Sequence, residues 1–141
     1  MSQKVIVDTN VFLDNLLNRK SGYLPIGEFA FNFFKSTLEC NFEIIIIEDI
    51  LYELSTVLNI DKQTVLTKVL GPLIKKNKLQ IHKYSKITFN KAITLSKQKN
   101  IPKTDALIIE VSKTLSYPII SRNFHFVDCE ANVFCPEELN I

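Results

Sequence analysis

Three carboxylates stand where elements of regular structure begin or end. Asp8 follows the β-branched run Val5-Ile6-Val7, Glu53 lies in a helical stretch after the all-isoleucine run 44–47, and Asp105 opens a later helical stretch. Carboxylates drawn together from distant points of a chain repel one another unless protons or a cation neutralise them. A cluster of hard oxygen donors selects Mg²⁺ or Mn²⁺, ions that keep waters and bind phosphates. The chemistry on offer is thus a divalent cation held against a phosphoryl group. Each acid also has a plainer reading: Asp8-Thr9-Asn10 as a turn, Glu53 as a solvated helical side chain, Asp105 as a carboxylate favoured by a helix dipole. The set carries the functional reading.

The elements that must position these acids can be read from hydrophobic period. Val5-Ile6-Val7 and residues 44–47 are continuously apolar, as strands buried on both faces of a parallel sheet are. Apolar residues at helical spacing predict helices over 26–38, 48–58 and 89–99. Asp61 is a predicted N-cap, with Gly71-Pro72 a kink or break beyond it. Residues 79–84 and 117–121 predict strands, and 132–135 a last one. Pro102 ends an element, and Thr104 is expected to cap a helix opening at Asp105. Strands alternating with helices, without repeat or linker, predict one α/β domain over 1–141 with a central, mostly parallel sheet flanked by helices, an α/β/α sandwich. In open sheets of this kind, ligands collect beyond the carboxyl ends of the strands, where Asp8 falls.

Composition narrows the class. A chain of 141 residues buries about 68% of its unfolded surface and needs no staples. With 46% apolar residues and only 3 Gly and 5 Pro, disorder and low-complexity repeats are excluded. No apolar run approaches the ~20 residues of a membrane span. Three cysteines without a CxxC pair leave one unpaired in any disulfide scheme, so a cytoplasmic location is expected. The formal charge of +2 hides a sharp segregation. Residues 1–61 carry 4 Lys/Arg against 9 Asp/Glu, residues 62–104 carry 11 Lys and no acid, and residues 105–141 carry 2 against 6. Forty-three residues without one carboxylate form either a solvated lysine surface or a face for a polyanion, and nucleic acid is the expected partner.

Four strings together bring a resemblance into view: Ile6-Val7-Asp8-Thr9-Asn10-Val11-Phe12, the Glu53 helix, Lys103-Thr104-Asp105-Ala106-Leu107-Ile108, and Pro118-Ile119-Ile120-Ser121-Arg122-Asn123. In that order and spacing the chain resembles a PIN domain over about residues 4–136, and in its length the VapC-like toxin ribonucleases. The resemblance implies a Mg²⁺- or Mn²⁺-dependent endoribonuclease that cuts single-stranded or looped RNA to leave a 5′-phosphate and a 3′-hydroxyl. It also implies an antitoxin protein as a possible partner, and a homodimer. Carried over by position, Asp8, Glu53 and Asp105 are catalytic and metal-holding acids, with Thr9, Asn10 and Thr104 supporting them. The fourth acid is replaced by Asn123, whose carbonyl can ligate a cation but brings no charge. Asp128 is a candidate substitute or a plain surface acid. Lys75, Lys76, Lys78 and Arg122 are the expected RNA contacts.

Two histidines, His82 and His125, do not make a zinc site; His125 is a phosphate contact or a structural residue. Tyr23, Phe124 and Phe126 are base-stacking candidates or core residues. Phe31 lies off the face of Phe29 and Phe33 and is a candidate interface residue. A binding module without catalysis is the competing class, favoured by Asn123. A phosphoacceptor receiver domain would need an acidic pair after the first strand and a late lysine, and neither is present.

Overall fold

Val5-Ile6-Val7 has no polar face to turn toward water, and it occupies the middle of a sheet. The computed structural model describes residues 3–39, 42–123, 126 and 129–139. Five strands, β1 (Gln3–Val7), β2 (Phe42–Ile47), β3 (Leu79–His82), β4 (Ile119–Ile120) and β5 (Val133–Phe134), pair in the order β3-β2-β1-β4-β5, and every pairing is parallel. Chain order runs outward from β1 on one side to β3 and on the other from β4 to β5, so the sheet has its switch point between β1 and β4. Residues 5–7 and 44–47 are buried, as strands covered on both faces require.

The helices are α1 (Thr9–Leu16), α2 (Ile26–Leu38), α3 (Glu48–Leu58), α4 (Lys62–Thr64), α5 (Gly71–Lys75), α6 (Lys86–Lys99) and α7 (Lys103–Leu115). α7 is buried almost all round, from Asp105 through Ile109 and at Val111, which is the pattern of a central helix. α6 packs outside it and buries only Thr88 and Ala92. Three helices stop by one device. Asn59, Asn100 and Ser116 take left-handed backbone after α3, α6 and α7, and the N–H of the following residue reaches back to the carbonyl of Ser55, Ser96 or Ser112. The hydroxyl of that same serine donates to the carbonyl of Ile60, Ile101 or Tyr117 at 2.5–2.6 Å, closing each cap from both sides.

The predicted elements over 26–38 and 48–58 form with those bounds. Asp61 accepts the Thr64 N–H at 2.7 Å, and the helix beyond it widens to a π turn over Val65–Val69 before restarting at Gly71-Pro72, where proline has no N–H to continue the ladder. The strand over 79–84 ends at His82, the helix over 89–99 opens at Lys86 because Ser85 caps it, and three further expectations change. α1 replaces the turn expected at Asp8-Thr9-Asn10; its buried face runs Val11-Phe12-Leu13-Asp14, and the buried Asp14 masks the amphipathic pattern. α7 opens at Lys103 with Pro102 as its cap, because extended proline already sets the entry, so Thr104 lies inside the first turn and does not cap it. β4 is shorter than 117–121, since both backbone groups of Tyr117 are engaged by Ser112 at the end of α7.

Gly27 lets the first turn of α2 press against the loop after α1: its N–H reaches the Arg19 carbonyl at 2.8 Å, and a Cβ there would meet Asn18 Cα at 2.7 Å. Gly27→Ala must push that backbone away, at a cost of roughly 1–3 kcal/mol. Thermal unfolding should show a melting point several degrees lower; an unchanged one would mean that the loop yields freely.

Candidate active site

Asp8 leaves β1 at the switch point and caps α1, its Oδ1 accepting the Thr9 N–H at 2.8 Å. Its own N–H bonds the Ile120 carbonyl at 3.1 Å, which ties the turn to β4. From the end of β4, 113 residues on, Ser121 donates its hydroxyl to Asp8 Oδ2 at 2.8 Å. The same Ser121 oxygen accepts the Asn123 N–H at 2.9 Å, and the Asn123 side-chain amide donates to Asp105 Oδ2 at 2.9 Å. On the other side of Asp8, the Thr9 hydroxyl donates to Glu53 Oε1 at 3.0 Å. The three acids are therefore joined in one line, Glu53, Thr9, Asp8, Ser121, Asn123, Asp105, in which every residue between two acids is a neutral donor. Carboxylates can only accept, so neutral donors are what can bridge them without adding charge.

Burial sets the electrostatics. Asp8 is 4% exposed, and its carboxyl is pushed up to about 6, first by loss of water and also by the charges of Asp105 and Glu53, against the Ser121 hydroxyl and the Thr9 N–H that favour the charged form. Glu53 is raised as well, first by burial, against the Thr9 hydroxyl, with Asp105 and Asp49 adding to the rise. Asp8 and Glu53 thus both lie in the field of Asp105. Among the described residues no three His, Cys, Asp or Glu side chains close into a ready-made metal cage. An open set of hard carboxylate oxygens is nonetheless the donor chemistry that suits Mg²⁺ or Mn²⁺, since Mg²⁺ takes one or two carboxylates and keeps several waters.

Other expected site residues fall differently. Thr9 touches Asp8 through its backbone N–H, while its hydroxyl serves Glu53. Asn10 is exposed and lines a cleft with Arg19, Arg122 and Asn123. Thr104 lines a second cleft with Asp49, Tyr52 and Glu53. Asn123 turns its nitrogen to Asp105 and donates to that acid, which leaves its carbonyl oxygen as the atom that could ligate a cation. Arg122 is engaged within the chain: its two terminal guanidinium nitrogens donate to Glu137, and it lies 3.9 Å from Asp14 and 5.8 Å from the Phe29 ring. Lys75, Lys76 and Lys78 precede β3, whereas Asp8 follows β1; in a parallel sheet these are opposite ends. Lys78 is besides only 9% exposed. Phe126 is fully buried and belongs to the core. Phe124, His125 and Asp128 lie outside the described residues.

Ser121 is the participant that sequence reasoning passed over, because a serine after a strand carries no signal of its own. Asp14 is another: buried in α1, its carboxyl is raised by burial and held down by Arg19, 3.6 Å away, and by Arg122.

No family model matches the sequence, and no curated protein matches it. Solved structures do. The chain is similar to one in VapBC2 from Rickettsia felis bound to a DNA fragment from its promoter, at 17% identity and TM-score 0.64, over 94% of this chain and 98% of that one. It is similar to a chain of a toxin-antitoxin complex from Klebsiella pneumoniae (18%, TM-score 0.62, 94% and 97%) and of FitAcB from Neisseria gonorrhoeae (17%, TM-score 0.63, 96% and 99%). At these identities the likeness shows the fold alone: a PIN-like α/β architecture with an all-parallel sheet flanked by helices.

The raised Asp8 carboxyl has a consequence for stability. Its folded value of about 6 lies above the ~3.9 of an unfolded chain, so the native state holds the extra proton between those values and loses stability as pH rises through them. The loss is on the order of 2–3 kcal/mol once pH exceeds 6. In EDTA, Asp8→Asn should melt higher than wild type at pH 7.5, with the gap closing by pH 4. Equal melting points at pH 7.5 would show that Asp8 is not held against its charge.

Proposed function

We propose that this protein is a divalent-metal-dependent endoribonuclease acting on single-stranded or looped RNA, as the toxin of a toxin–antitoxin pair. The observation that carries the reading is the hydrogen-bonded line from Glu53 through Asp8 to Asp105 at the switch point of the sheet. Asp8, Glu53 and Asp105 would hold Mg²⁺ or Mn²⁺. Such an ion lowers the pKa of a coordinated water and offsets charge on the attacked phosphate. The chain's own part is to keep the oxygens in place: Thr9 and Ser121 fix both oxygens of Asp8, and Asn123 fixes Asp105. The structural neighbours are toxin-antitoxin complexes, which supports the toxin reading and an antitoxin as protein partner. Phe31, 56% exposed on α2, is an apolar side chain that an antitoxin or a second copy of the chain would cover. Among the described residues no helix is long and apolar enough to cross a membrane.

One observation favours the second reading, a PIN-type module that binds without cutting: an amide stands at Asn123 where a fourth acid is expected. The two separate cleanly. Purified protein should cut generic single-stranded RNA with Mn²⁺, EDTA should stop it, and Asp8→Asn should abolish it. Mn²⁺ should also raise the melting point of wild type and not of that variant. RNA binding without cleavage at any Mn²⁺ concentration would establish the binding module instead.

Asn123→Asp puts a second acid where an amide donates to Asp105, trading attraction for repulsion. Without metal it should melt lower than wild type, and with Mn²⁺ recover more than wild type gains, with cleavage reaching half-maximum at a lower Mn²⁺ concentration. Equal metal midpoints and melting points would remove Asn123 from the site.

A further inference from the structure

The fold sorts the eleven lysines of residues 62–104 by where they stand. Lys75, Lys76 and Lys78 lie at the amino end of the sheet, away from the acids. Lys62 is paired with Glu48 and lies 4.9 Å over the Tyr52 ring, and Lys68 stands in the π turn Val65–Val69 between α4 and α5. Lys91, Lys97 and Lys99 follow α6 away from its start, at about 1.5 Å per residue. Lys83, Lys86 and Lys103 are left: all three are exposed, and all stand at the carboxyl end where Asp8 stands. Lys83 directly follows β3, whose last residue, His82, is level with Ile47 at the end of β2, and its charge is felt by Glu48. Lys86 and Lys103 are the first residues of α6 and α7.

We propose that Lys83, Lys86 and Lys103 form a ledge that binds the phosphates of a single RNA strand and leads it to the acids, with Tyr52 as the surface on which a base stacks. The proposal rests on the ribonuclease reading and deepens it. Two features hold the ledge in place. Tyr84 stacks on Phe89 at 6.3 Å and donates its hydroxyl to Asp49 at 3.0 Å, joining the start of α6 to α3. Lys103 lays its ammonium 5.2 Å over the other member of that stack, Phe89, joining α7 to the same place. The ledge thus borders the cleft lined by Asp49, Tyr52, Glu53 and Thr104, the last two beside the acid line.

Stability alone does not account for these lysines. A cation in the first turn of a helix faces the positive end of its dipole, yet both α6 and α7 begin with one. The stretch 62–104 supplies no acid of its own, and only Glu48, from α3, is seen to feel one of the three, Lys83. A polyanion removes the conflict. RNA is preferred to an acidic protein because Tyr52, 57% exposed on the cleft wall, presents a ring face to a base, and spaced phosphates with bases between match cations set beside an aromatic.

The test is fluorescence anisotropy with a labelled single-stranded RNA in EDTA, from 50 to 200 mM salt. It compares wild type, the triple variant Lys83→Glu/Lys86→Glu/Lys103→Glu, and the pair Lys75→Glu/Lys76→Glu. Each lost phosphate contact flattens the slope of log K against log salt by about 0.7, so the triple variant should lose about 2 from the slope and the pair should keep it. Tyr52→Ala should weaken binding about tenfold. Melting points of the variants report folding, and all substituted side chains are exposed. A wild-type slope in the triple variant overturns the ledge, as does equal flattening in the pair, or poly-L-glutamate competing as well as RNA of equal charge. If the lysine dependence appears but Mn²⁺ supports no cleavage, the ledge stands and the ribonuclease reading falls. If wild type binds no RNA, both fall.

Discussion

The structure turns on a negative charge held out of water. Asp8 sits at the one place in the sheet where neighbouring strands send their chains in opposite directions, and there it is almost wholly buried. A buried carboxylate persists only if donors replace the water it has lost. Two donors do so, one from the backbone of the helix it caps and one from Ser121 at the end of β4. The pairing of β1 with β4 is what brings Ser121 within reach, so sheet register and site chemistry are one constraint.

From that point the arrangement spreads by hydrogen bonds and not by ion pairs. Thr9, Ser121 and Asn123 carry no charge, and each donates to an acid. An arginine or lysine in any of these places would offset part of the acids' charge and leave less for an external cation to neutralise. The nearest arginine, Arg122, follows Ser121 directly, yet its guanidinium is engaged by Glu137 and approached by Asp14. Those two acids keep a strong cation out of the line of carboxylates. Asp14 thereby has a structural part: it helps fasten the C-terminal turn at Pro136–Glu138, through Arg122, to α1.

Much of this was legible in one dimension. Continuous β-branched runs report strands buried on both faces, because no alternation is possible when neither face meets water. α2 and α3 follow from apolar period. The positions of Asp8 and Asp105 at element boundaries, with Glu53 in the helix that follows β2, indicated that they meet. α1 was hidden by its buried Asp14, and Ser121 by having no pattern at all.

What the sequence determined by itself is therefore local or periodic: which segments are strands, where helices stop, which acids stand at their ends, and that one third of the chain carries lysines without acids. Tertiary structure alone decided which side chains face which. Asn123 became a donor to Asp105, Arg122 was enclosed, Lys78 was buried, and the lysines were divided between the two ends of the sheet. The reason is physical. Propensity and period act over a few residues, whereas the burial that shifts a carboxyl and the reach of a hydroxyl across 113 residues exist only once the strands have paired.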